Sequence, residues 1–190
     1  MRRRLLVPSV LVLVAGLTAC GSTAVTAGAP APREVRKDVQ FGSQVSTGAV
    51  TYDPALVPIG AGALVTATTR DGGEVVTLAL RGLRPDRRYG AHAHAKPCGE
   101  KGDAAGPHFQ FDVDPVQPSV DPKYANPKNE VWLDIATDRN GAGTATATLP
   151  KEFPADRRPQ SVIVHAMPTA TEAGKAGTAG ARAACVDVPF

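Results

Sequence analysis

After its first twenty residues the 190-residue sequence has no long apolar run, no internal repeat, no excess of one charge and no stretch that keeps a helical apolar period for three turns. Each absence removes a class. Without further apolar runs there is no bundle of membrane-spanning helices, and without a repeat there is no solenoid or propeller. Seventeen prolines spread along the chain also disfavour long helices. Charge is the subtler case. Of 21 basic residues, three are Arg2, Arg3 and Arg4, and without them 18 basic residues face 18 acidic ones. The basic balance therefore belongs to the leader, and no nucleic-acid partner is expected.

What is present begins with that leader. Residues 1–19, "MRRRLLVPSVLVLVAGLTA", join three arginines to a short apolar run ending in small residues, the pattern of an export signal. Leu17, Thr18, Ala19 and Cys20 resemble a bacterial lipobox, so Cys20 is expected to become a lipid-bearing N-terminus on the outer side of a cell membrane. Residues 20–40 are small and Pro-punctuated and read as a flexible tether. Residues 41–190 then form one domain with one core. Two cysteines remain, Cys98 and Cys185, an even number in an oxidising compartment, and a disulfide between them is expected.

Within the domain the apolar period is two. Val76, Leu78 and Leu80 share a face in "EVVTLAL", as do Val131, Leu133 and Ile135 in "VWLDIA", and threonines alternate with Ala145, Ala147 and Leu149 in "TATATL". "RDGGE" and "DRNGAG" are turn signals between strands. An all-β sandwich or barrel follows. Residues 109–129 lack alternation, are punctuated by proline, and read as a long loop of functional rather than idle kind.

The four histidines form the chemical signal. His92 and His94 in "GAHAHAKPC" are two residues apart, so a strand projects both to one side while Ala91, Ala93 and Ala95 take the other. His108 follows "AGP", and His165 ends the apolar run "SVIV" on the face of Ile163. Imidazoles without a thiolate or carboxylate favour copper or zinc.

Four segments together resemble the copper/zinc superoxide dismutase family: "GLRPDRRYGAHAH" from Gly82, "AGPHF" from Ala105, "VIVH" from Val162 and "GTAGARAAC" from Gly177, in the family's order and across residues 60–188. The resemblance implies an eight-stranded Greek-key β-barrel. It also implies that His92, His94, His108 and His165 are copper ligands, that Arg182 attracts and orients the superoxide anion, that His108 takes part in proton delivery, and that Cys98 and Cys185 are the family disulfide. The family's zinc site is not matched. No histidine lies between His108 and His165, and Val131 falls near where the family has its aspartate. Asp112, Asp114, Asp121 and Glu130 are the remaining oxygen donors, a poor set for zinc.

A copper-dependent dismutase without zinc is the expected function, with superoxide as its substrate and the membrane touched only through the lipid. Residues 166–181 hold one base, Lys175, and one acid, Glu172, so steering by a focused field should be weak. The rival is a non-enzymatic extracytoplasmic copper-buffering protein, which would keep the histidines but have no need of Arg182.

Overall fold

The computed structural model describes residues 33–190. The export signal, Cys20 and most of the expected tether lie outside the described residues. Ten strands follow in chain order: β1 (Glu34–Gln40), β2 (Ala49–Thr51), β3 (Gly62–Arg70), β4 (Gly73–Arg81), β5 (Arg88–Tyr89), β6 (Ala91–His94), β7 (Ile135–Ala136), β8 (Gly143–Leu149), β9 (Ser161–His165) and β10 (Arg182–Asp187). Eight of them make two four-stranded sheets, ordered β1-β3-β4-β8 and β2-β10-β9-β6, and β5 with β7 makes a short third pair. All ladders are antiparallel. The all-β expectation holds. Among the described residues no ladder joins the two large sheets into a closed barrel.

The end of the tether is corrected. Glu34–Gln40 pair along their whole length with β3, from Glu34 opposite Thr68 to Gln40 opposite Gly62. The domain therefore starts before residue 41. Only Val35 of this strand is buried, so an edge strand lined with charge leaves little apolar signal.

Period two explains the sheets. Ala63, Val65 and Ala67 of β3 and Val76, Leu78 and Leu80 of β4 face inward, meeting Ala91 and Ala93 of β6, Val162 and Val164 of β9, and Ala184 and Val186 of β10 in one core. Between β3 and β4, Asp71 and Gly72 both have positive φ, 52° and 79°, which gives the tight turn a twist that suits the strands.

The second sheet is covered on its other face as well. There Val50, Cys98, Ala105, Ile163 and Cys185 form a smaller cluster. Cys98 and Cys185 are disulfide-bonded across 87 residues, a closure that stabilises by about 4–5 kcal/mol in the chain-entropy account. This bond fastens the segment after β6 to β10. The histidines lie on this loop-covered face.

Residues 109–129 form no strand, as expected, but they are tied down. The Asp114 carboxylate accepts from Val116 N at 2.8 Å and from the Ser119 hydroxyl at 2.7 Å, and the Asn129 side chain donates to Asp112 O and Tyr124 O at 2.8 Å each. The "VWLDIA" segment is paired as a regular strand only over Ile135–Ala136. Before it, Trp132 makes an isolated antiparallel bridge with His92, and Glu130 makes one with Gln110.

Candidate metal centre

β6 turns Ala91 and Ala93 into the core, so His92 and His94 emerge together on the opposite face. β9 lies beside β6, with His92 opposite Ile163, and its last residue is His165. The free edge of β6 receives residues 107–109: Ala95 N donates to Pro107 O at 3.0 Å and Phe109 N donates to Ala93 O at 2.9 Å. That places His108 directly opposite His94.

All four sequence-expected histidines meet, each offering one ligand atom, with these atoms within 4.8 Å of one another. The other nitrogen of each ring is engaged. His94 Nδ1 donates to Gly106 O at 3.0 Å, and His165 Nδ1 makes a longer bond of 3.4 Å to Gly180 O. His108 Nδ1 lies 2.8 Å from Glu130 Oε2, and His92 Nε2 lies 2.8 Å from Thr169 Oγ1. Carbonyl oxygens only accept, so the far nitrogens of His94 and His165 are left bare.

Those bare atoms are the test of fit. His92 Nδ1, His94 Nε2 and His165 Nε2 are buried and have no hydrogen-bond partner. Each orphaned polar atom costs about 1–3 kcal/mol, and three converging on one point are answered together by a single cation. Burial first, and then the neighbouring imidazoles, hold His92 well below the usual imidazole range. His94 is depressed by burial and by His108 and Arg182, and His165 is pushed down to about 3 by burial and His108. Neutral rings are what a divalent metal needs.

The sequence of the family described as Copper/zinc superoxide dismutase (SODC) matches residues 61–188. The chain belongs to this family. A search of curated proteins finds no match. Among solved structures, the Cu/Zn superoxide dismutase from Brucella abortus is similar at 20% identity and a TM-score of 0.54, covering 82% of this chain and 98% of that one. A double mutant of a superoxide dismutase-like protein from Bacillus subtilis is similar at 17% identity and a TM-score of 0.53, covering 81% and 95%. At these identities the likeness concerns the fold.

In this superoxide dismutase family member the back of the His108 ring rests on a buried acid. Glu130, 1% exposed, accepts from His108 through Oε2, from Trp132 Nε1 at 2.6 Å through the same oxygen, and from Gln110 Nε2 at 2.7 Å through Oε1. As a carboxylate it only accepts, so His108 Nδ1 carries the hydrogen and Nε2 is free to face the other rings. The remaining acids are elsewhere. Asp114 is buried in its own loop, Asp121 accepts from Lys123 N at 2.9 Å, and Asp112 is 3.5 Å from Lys151 Nζ. Among the described residues the histidine group is the one cluster able to hold a metal ion.

Arg182, at the start of β10, stands beside the histidines. It donates to Gly102 O from Nη1 and to Gly106 O from Nη2, both at 2.8 Å. Gly106 O thus receives both Arg182 and His94, coupling the cation to a ring of the cluster. Burial lowers the arginine's pKa from its ordinary value, yet a guanidinium stays charged at neutral pH. Arg182, His108, His165 and Glu130 line an open cavity of about 300 Å³. Gly177, at φ +80°, closes its wall: a Cβ there would lie 3.6 Å from Glu130 Oε2 and 3.7 Å from His108 Cε1.

Sequence reading had missed Thr169, Asp134 and the Gly106 carbonyl, and had weighed Glu130 only as a metal ligand. A signal for Glu130 and Asp134 existed. Period two that sends Val131, Leu133 and Ile135 into the core sends Glu130, Trp132 and Asp134 the other way. Thr169 had none, because its place depends on the fold of residues 166–181.

Proposed function

We propose that the protein is an exported, lipid-anchored, copper-dependent superoxide dismutase that works without zinc. The observation that carries this is the convergence of four ring nitrogens at a site whose His108 is held from behind by a carboxylate. In the family that the sequence resembles, the histidine at this position bridges two metals, and the bonds of Glu130 to His108, Gln110 and Trp132 support a reading with one.

The reaction consumes two superoxide anions and two protons and yields oxygen and hydrogen peroxide. Copper, when bound, supplies a reversible one-electron couple. His92 Nδ1 and the Nε2 atoms of His94, His108 and His165 would hold it. Arg182 presents a cation in the cavity beside His108 and His165, fixed by two backbone carbonyls so that its charge does not wander. An anion entering this opening meets a pre-oriented donor and needs no rearrangement of the protein. Glu130 keeps a proton on His108 Nδ1, so any proton exchanged with the cavity passes at Nε2. Export and anchoring rest on the leader and on Cys20.

The test uses copper-loaded full-length protein in detergent. Arg182→Ala should cut dismutation by about tenfold or more, the range of effects assigned to a steering charge, with copper affinity unchanged. Copper-loaded wild type without dismutation would mean a copper-binding protein on this fold, and an Arg182→Ala variant as active as wild type would remove the arginine from the mechanism.

A further inference from the structure

His92 differs from its three partners in offering Nδ1 rather than Nε2, and its Nε2 meets a hydroxyl rather than a carbonyl or carboxylate. A hydroxyl can donate or accept. Thr169 alone would therefore leave the tautomer of His92 open, and the wrong tautomer puts a hydrogen on the ligand atom.

The next contact removes the choice. Thr169 Oγ1 lies 2.5 Å from Asp134 Oδ2, and Thr169 N donates to Asp134 Oδ1 at 2.7 Å. Both carboxylate oxygens accept, so the hydroxyl hydrogen points at Asp134 and the lone pairs of Oγ1 are left for His92 Nε2–H. Every hydrogen in the chain then has one direction. We propose, on the copper reading above, that Asp134 acting through Thr169 is a positioning pair that locks His92 in its Nε2–H form and keeps Nδ1 bare for the metal.

The pair also joins two parts of the chain. Thr169 belongs to residues 166–181, which cover the site, and Asp134 belongs to the segment bridged to β6 at His92. Close docking depends on Gly90: its N donates to Met167 O at 2.7 Å, and a Cβ there would fall 2.8 Å from Thr169 Oγ1. Thr169 thus has one place to stand. Supports of this kind behind a ligand histidine change metal affinity by about 10–100-fold.

Asp134→Asn is the informative substitution, because it frees the direction of the chain instead of cutting it. The amide oxygen must stay on Thr169 N–H, since turning it away would set two N–H donors against each other. The amide NH2 then faces Thr169 Oγ1, the hydroxyl hydrogen loses the acceptor that held it and is free to turn toward His92 Nε2, and the Nε2–H form of His92 is no longer enforced. Asp134 is exposed and asparagine has its shape, so the substitution disturbs no packed core.

The experiment is long-range 1H–15N NMR of the histidine rings in metal-free, 15N-labelled full-length protein, with copper(II) affinity measured by chelator competition. Wild type should show His92 protonated at Nε2. Asp134→Asn should shift it toward Nδ1–H and weaken copper(II) binding at least tenfold, Thr169→Val should weaken it similarly, and Thr169→Ser should restore both readouts. An Asp134→Asn protein that keeps the Nε2–H form and binds copper(II) within twofold of wild type would overturn the proposal. Neither readout uses dismutation, so an inactive wild type with the expected tautomer would overturn the function and leave this pair standing.

Discussion

Replacing Glu130 by glutamine tests the support behind His108 with almost no change of shape. Oε2 receives two donors, His108 Nδ1 and Trp132 Nε1, so the amide oxygen of the variant must remain there. The new NH2 then faces Gln110 Nε2, which is itself a donor at 2.7 Å. Gln110 cannot turn over to help, because its Oε1 accepts from Asp114 N at 2.9 Å. The variant therefore opposes two buried N–H groups and also turns charge-assisted bonds into neutral ones. An unsatisfied buried donor costs about 1–3 kcal/mol, and a bond to a charged group exceeds a neutral one by about 1 kcal/mol. Together these give a loss of about 2–4 kcal/mol, a large share of the 5–15 kcal/mol typical of a domain. Urea unfolding of the metal-free variant beside wild type measures it, and an unchanged slope confirms that the same surface is exposed. A loss below about 0.5 kcal/mol, the size of ordinary surface changes, would mean that these donors do not depend on a charged acceptor at Glu130.

Other outcomes follow from the same geometry. The metal-free protein should lose stability as pH falls from about 6.5: unfolded histidines take up protons there, while His165 resists until about 3 and His92 and His94 are also strongly depressed. The unfolded state then binds more protons, so stability drops by about 1.4 kcal/mol per pH unit for each such ring. Near pH 5 that is about 2 kcal/mol from His165 alone, and urea titrations between pH 7 and 5 should show it. Copper should oppose the loss because it competes for the same nitrogens; a metal-free protein equally stable at both pH values would contradict the burial of these rings. Gly102→Ala should lower dismutation while leaving copper affinity near wild type, because the new Cβ would lie 2.7 Å from Arg182 Cβ and push the arginine from its carbonyls. Kinetics equal to wild type would show that the exact seat of Arg182 is unimportant.

The parts of this molecule legible in its sequence are those set by short repeats of spacing. His92 and His94 share a face because residues two apart on a strand always do, and the inward rows of β3 and β4 follow the same rule. Edges were less visible. β1 places two valines among charges, which suits a strand paired on one side and wet on the other, but resembles a linker when read alone. The outward row Glu130, Trp132 and Asp134 was hidden by its apolar neighbours, whose alternation gave the stronger signal. Thr169 and Gly106 act through atoms that any loop possesses, a hydroxyl and a carbonyl. Their roles arise only when residues 166–181 and 102–106 are folded against β6.

If copper alone completes the site, copper and zinc content and superoxide dismutation, measured on one full-length sample reconstituted with copper and with copper plus zinc, will show a single copper per chain, full activity with copper alone and no gain from zinc. Stoichiometric copper without dismutation, or activity that appears only when zinc is added, would exclude a copper-only dismutase.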